Sequence, residues 1–222
     1  MPHTPKGEGF DFHDKICIAH AVFACIAALI TAPAALLIAR YFRSRAWWFK
    51  AHLILQSLTV GCVFILFVLS TVAVSSGGHG TQFTGLKKDP HHDLGLSIFI
   101  LLFMEAIFGI AAHYTSSKQS TTYGAFPTIR AKKSLLRHLH LWYGIVVAGA
   151  LYAAIKSGIT EWNEVSDSGT TVPNSVVTIY WVIFSLEITA YVVGWLLEAF
   201  HGKRDLSETE DLTEEKARTP SI

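Results

Sequence analysis

Five apolar runs dominate the chain, roughly Ile16 to Ala39, Trp47 to Ser75, Leu94 to His113, Leu139 to Ile159 and Val176 to Phe200. Each is near the 20 or so apolar residues that a helix needs to cross a bilayer's hydrocarbon core. Inside lipid, every backbone N–H and C=O must find its partner within the protein, which leaves helices or closed barrels. None of the five runs shows the period-2 alternation of a barrel strand, so the expected fold class is all-α: an integral membrane helical bundle of five transmembrane helices. The composition agrees, with 51% hydrophobic and 16% charged residues. A net charge of +1, without basic clusters interleaved with aromatics, gives no reason to expect a nucleic-acid partner.

Lys and Arg placement predicts orientation. Arg40, Arg43, Arg45 and Lys50 follow the first span, Lys118, Arg130, Lys132, Lys133 and Arg137 follow the third, and Lys203 and Arg204 follow the fifth. These eleven alternate onto one face, against five on the other, where Glu and Asp dilute them. The expectation is an extracytoplasmic N-terminal segment (1–15), a transmembrane domain (16–200) and a cytoplasmic tail (201–222). The tail carries almost nothing apolar to bury and reads as disordered. The N-terminal segment lacks the basic n-region of a cleavable signal peptide. Cys17, Cys25 and Cys62 lie in or beside apolar runs without CxxC spacing and read as small buried hydrophobes.

Four of the spans carry a histidine close to their start: His20, His52, His91 and His140. Ionisable residues at membrane depth are costly and mark function by default. Consecutive spans run in opposite directions, so His20 and His91 belong to one face and His52 and His140 to the other. A repeat strengthens two of them: His91 is followed by Gly95 and Gly109, and His140 by Gly144 and Gly158, at the same offsets of four and eighteen. A glycine one turn from a histidine lies on the same helix face and leaves room beside the imidazole for a flat group. Glycines at helix interfaces also serve close packing alone.

Neither His92 nor His138 has a glycine four residues on, and both read as interfacial. His113 reads as a snorkelling or capping residue, and His3, His13, His79 and His201 read as loop or terminal residues without a role. Gln56 lies one turn from His52, while Glu105 and Glu187 are carboxylates at mid-span. Trp47, Trp48, Trp142, Tyr143 and Trp162 fit an interfacial aromatic belt.

Two imidazoles on each face, with no thiolate or carboxylate completing a set, do not suit tetrahedral zinc or a copper site. They suit the two axial positions of a porphyrin iron. Without a CxxCH motif the hemes would be b-type. The expected cofactors are two bis-histidine hemes b, His20/His91 outside and His52/His140 inside.

With these four histidines, the His-x-x-x-Gly starts at His91 and His140, Lys50 before His52, and the stretch ARYFRSRAWWFKAHLILQ, the region from Lys15 to Gly158 resembles the eukaryotic cytochrome b561 family, notably the DOMON-associated fungal type. The resemblance implies the same histidine pairing. It implies transmembrane electron transfer from a cytosolic reductant such as ascorbate to monodehydroascorbate, ferric iron or a redox domain, an oxidoreductase activity of ascorbate-dependent or ferric reductase type. Members commonly have six helices where five are read here, and an amide where this chain has Glu105. Lys50, with Lys132, Lys133 and Arg137, would attract an anionic reductant electrostatically. The expected partners are the lipid bilayer, that reductant and an external electron acceptor, with a homodimer left open. Two other readings stay open: a quinol-oxidising cytochrome b subunit of a complex, and a heme-free transporter, sensor or scaffold.

Overall fold

The computed structural model describes residues 10–76, 90–117, 127–165 and 169–218; side chains within 115–117, 127–134 and 201–218, and those of Val165 and Ala199, lie outside the description. The described residues are helical without strands, and five helices are long and apolar enough to cross a membrane, the build of a multi-pass integral membrane protein. The first span is composite. α1 (Phe12–Cys25) passes through a π-helical segment (Ile26–Thr31) into α2 (Ala32–Tyr41). The remaining helices are α3 (Trp48–Ser76), α4 (Pro90–Ser117), α5 (Pro127–Val165) and α6 (Asn174–Arg218).

Local chemistry sets the ends. Asp11 caps α1, its carboxylate accepting the Asp14 N–H at 2.8 Å, which satisfies one of the first-turn donors a helix leaves unpaired. Pro90 and Pro127 open α4 and α5 at the position where a missing N–H costs nothing. At the end of α2, the Arg43 Nε–H donates to the Ala39 carbonyl at 2.6 Å, and its guanidinium lies over the Trp48 ring at 5.9 Å. Within the first span, Pro33 removes a backbone donor and crowds the carbonyl four residues back. The Thr31 hydroxyl lies 3.3 Å from both the Ile26 and Ala27 carbonyls. A widened π turn relieves that crowding, and such turns occur often at functional sites.

Contacts divide the chain into two units, residues 1–177 and 178–222. In the first, α1 and α2 contact α3, α3 contacts α4, α4 contacts α5, and α5 returns to α1 and the π segment. This is a closed ring of four spans. Its core is Ala27, Ala28, Ala32, Val63, Ile98, Leu102, Val147 and Leu151; the three alanines of the first span let the helices approach closely. Ile54, Ile107 and Val146 remain more than half exposed, as lipid-facing side chains do. In the second unit, the apolar part of α6 carries Glu187, whose Oε2 has no partner among the described residues.

Three expectations need correction. The stretch after Phe200, read as disordered, continues α6 to Arg218, because Glu, Lys, Arg and Leu are good helix formers without any core to bury. Cys25, read as a small buried hydrophobe, is exposed. His13 belongs to α1 rather than a loop: its Nδ1 donates to the Ala73 carbonyl of α3 at 3.0 Å, and its Nε2 lies 3.6 Å from Cys17 Sγ. The remaining tail residues 219–222 and the glycine-rich connection at 77–89 lie outside the described residues.

Candidate functional site

In a four-membered ring, the first and third members are diagonal, as are the second and fourth. His20 on α1 and His91 on α4 face each other along one diagonal, with ring centroids 6.1 Å apart. His52 on α3 and His140 on α5 face each other along the other at 6.4 Å. Along α4, His91 and Gly109 are eighteen residues apart, about 27 Å of helix, and the His140 ring lies against Gly109. The two pairs therefore sit at opposite ends of the bundle, separated by close to the thickness of a hydrocarbon core.

Three of the four imidazoles are held at Nδ1 by an adjacent helix. His20 Nδ1 is 3.2 Å from the Leu66 carbonyl of α3, and His52 Nδ1 is 3.0 Å from the Ala35 carbonyl of α2. His91 Nδ1 is 2.9 Å from Ser157 Oγ of α5, and that hydroxyl donates to the Ala154 carbonyl at 3.0 Å. A carbonyl can only accept, and the Ser157 proton is already committed. In these three rings Nδ1 therefore carries the proton, leaving the Nε2 lone pair as the ligating atom.

The four sites have similar spacings. Leu66 lies fourteen residues beyond His52, Glu105 fourteen beyond His91, and Ser157 seventeen beyond His140, its hydroxyl backed by the Ala154 carbonyl at fourteen. Ala35 lies fifteen beyond His20, and the π segment between them absorbs the additional residue because its turn holds one more than an α turn. Each helix thus carries its histidine at one end and, four to five turns on, the group that faces a neighbouring helix's histidine at Nδ1. At the fourth site that group is a side chain: Glu105 Oε1 lies 2.8 Å from His140 Nδ1, off the line of an ideal hydrogen bond.

Only Gly95 leaves the room expected of it. A Cβ on Gly109 would come within 2.9 Å of His140 Cε1, and one on Gly158 within 2.9 Å of His91 Cε1. The glycine eighteen residues on therefore makes room for the partner helix's imidazole. Gly95 has open space beside it and lines a cavity of about 80 Å³ with His20, His91 and the small residues Ala24, Ala28 and Ala154. Gly144, expected to leave space beside His140, is instead covered by Glu105, whose Oε1 lies 2.7 Å from where a Cβ would be. A carboxylate fourteen residues past His91 fills the place that Ala154 leaves open at the other end.

Of the other predicted residues, Lys50 and Arg137 are exposed near the His52/His140 end, and the side chains of Lys132 and Lys133 lie outside the described residues. His92 is engaged by Glu161, its Nε2 3.3 Å from Oε1, while His91 Nε2 stands 3.7 Å from Oε2 of the same carboxylate. His138 is exposed, and His113 stacks on Phe49 with centroids 4.1 Å apart. Ser157, Glu161 and the Leu66 and Ala35 carbonyls escaped the sequence reading. Only Ser157 left a signal there, as a small polar residue beside Gly158. Among the described residues, no three His, Cys, Asp or Glu side chains converge to hold a metal ion by themselves.

No family model, curated protein or solved structure matches the chain.

Proposed function

We propose that the protein carries electrons across a membrane through two b-type hemes, one between His20 and His91 and the other between His52 and His140. The observation that carries this reading is the spacing of the rings. An imidazole nitrogen about 2.0 Å from a metal places the centroids of two trans imidazoles about 6.2 Å apart, and the two pairs stand at 6.1 and 6.4 Å. The protonated Nδ1 atoms and the small residues around the His20/His91 cavity fit the same assignment. Two imidazoles per site, with no third His, Cys, Asp or Glu side chain converging on them among the described residues, would hold an iron whose remaining ligands come from a macrocycle rather than from protein.

Bound at both ends, the hemes would supply reversible one-electron reduction at two depths of the bilayer. The chain's own residues do the rest. Backbone carbonyls and Ser157 fix three ring orientations and raise ligand basicity, while the core residues between the ends exclude water. By the Lys and Arg asymmetry, the His52/His140 end is cytoplasmic, where Lys50 and Arg137 would draw an anionic reductant such as ascorbate. That reductant loses one electron at the inner end, and an external acceptor such as monodehydroascorbate or ferric iron gains it at the outer end. This is the activity that the cytochrome b561 resemblance implies.

The full chain, purified from membranes, should hold two hemes per polypeptide and give sharp α-bands on reduction. Reconstituted in vesicles with ascorbate on one side, it should reduce a ferric chelate on the other. A protein without heme absorbance overturns the proposal and favours a heme-free transporter or scaffold; reduction only by quinol favours a cytochrome b subunit.

A further inference from the structure

The two ends are built alike but differ in what they deliver to Nδ1. Two rings donate to backbone carbonyls and a third to a hydroxyl backed by a carbonyl, all neutral acceptors. At Nδ1 only His140 meets a carboxylate, Glu105 Oε1 2.8 Å away and off the line of an ideal hydrogen bond, while at the other end Glu161 stands 3.7 Å from His91 on the Nε2 side. Glu105 is 7% exposed, and its second oxygen has no partner among the described residues. Gly144 clears the space it fills, since any side chain there would collide with Oε1 at 2.7 Å. Glycine and carboxylate thus form one unit, whose counterpart at the other end is Gly95 with Ala154 and an open cavity.

A charged acceptor on Nδ1 makes an imidazole a stronger electron donor through Nε2 than a neutral acceptor does, and a more basic axial ligand favours oxidised over reduced iron. We propose that Glu105 is a positioning residue that makes the His52/His140 site the lower-potential of the two, so that an electron entering there runs downhill to the His20/His91 site. The inference rests on the two-heme reading. Its device is the carboxylate for which Gly144 leaves room, beside the one ring whose Nδ1 has no neutral acceptor.

Redox titration of the purified, heme-loaded full chain, followed at the α-bands, tests this. The wild type should titrate in two resolved steps. His140→Ala should remove the lower one, which assigns it. Glu105→Gln preserves shape and removes charge. It should shift the electron-sharing equilibrium between the two ends by at least tenfold, about 59 mV for one electron, by raising the lower step alone. A residue that only fills space would leave the steps where they are. Unchanged steps in a Glu105→Gln protein with two hemes overturn the inference and leave the two-heme reading intact, whereas a wild type without heme overturns both. Should Glu105→Gln lose the inner heme, Glu105→Asp decides: recovery of that heme at its low potential supports the carboxylate's role, and no recovery overturns it.

Discussion

The His20/His91 end and the His52/His140 end of the bundle share one construction and differ in one filling. At both, diagonal helices bring two imidazoles to within 6.4 Å or less, centroid to centroid. At both, groups on neighbouring helices face the rings at Nδ1, and a glycine of an adjacent helix abuts one ring. Beside Gly95 there is a cavity; beside Gly144 there is Glu105. The shared features follow from backbone spacing and hold the geometry, whereas the differing feature is a single side chain. A pseudo-symmetric bundle can therefore place two sites alike and still give them unequal polarity.

The largest expected effect separates the ends outright. His91→Ala and His140→Ala should each lose about half of the bound heme, quantified by extraction against protein, and should lose different α-band components. Identical spectra for the two variants would mean that the pairs are not independent sites. A second test uses the crossed arrangement of the glycines. Gly109 lies on the helix of His91 but abuts His140, and Gly158 lies on the helix of His140 but abuts His91. Gly109→Ala should therefore impair the His140 site and Gly158→Ala the His91 site, each with an overpacking cost of about 1–3 kcal/mol measured by thermal unfolding in detergent. Damage on the glycine's own helix instead would break the crossed assignment.

Much of the fold was legible in the chain because lipid permits so few solutions. Five apolar runs imply five helices, and alternation of their direction places His20 with His91 and His52 with His140. The helix ends were less legible: α5 starts at Pro127, twelve residues before the apolar run at Leu139, because polar residues continue a helix as readily as apolar ones. The π segment left only Pro33 as a sign. The acceptors at Nδ1 were least legible. Leu66 and Ala35 act through backbone carbonyls, which their side chains do not advertise, and the meeting of Glu105 with His140 depends on the register of α4 against α5. Both helices are apolar around most of their circumference, so periodicity does not reveal that register.

A smaller effect is expected at Ser157. Ser157→Ala removes the acceptor on His91 Nδ1 without opening much space. The lost bond costs about 0.5–1.5 kcal/mol of stability. Heme retention at the His20/His91 end should weaken by about 10–100-fold, as expected when an orienting partner of a metal ligand is lost. Titrating heme into the extracted protein checks this. Equal weakening at both ends would show that Ser157 supports the bundle rather than one ring.

Midway between the ends, Thr59 Oγ lies 2.7 Å from Thr31 Oγ, where the π segment meets α3. Thr59 is fully buried, and its hydroxyl donates to the Leu55 carbonyl at 2.9 Å. Thr59→Val keeps the shape and deletes the oxygen. Thr31 still reaches the Ile26 and Ala27 carbonyls, so no buried donor is stranded and the cost should stay near 1 kcal/mol in thermal unfolding. This contact belongs to neither end, so both sites should keep their heme and their separate potentials. Loss confined to one end would show that the π segment serves that end's register instead of equalising the two. The one-residue surplus between His20 and Ala35 would then be a feature of a single site.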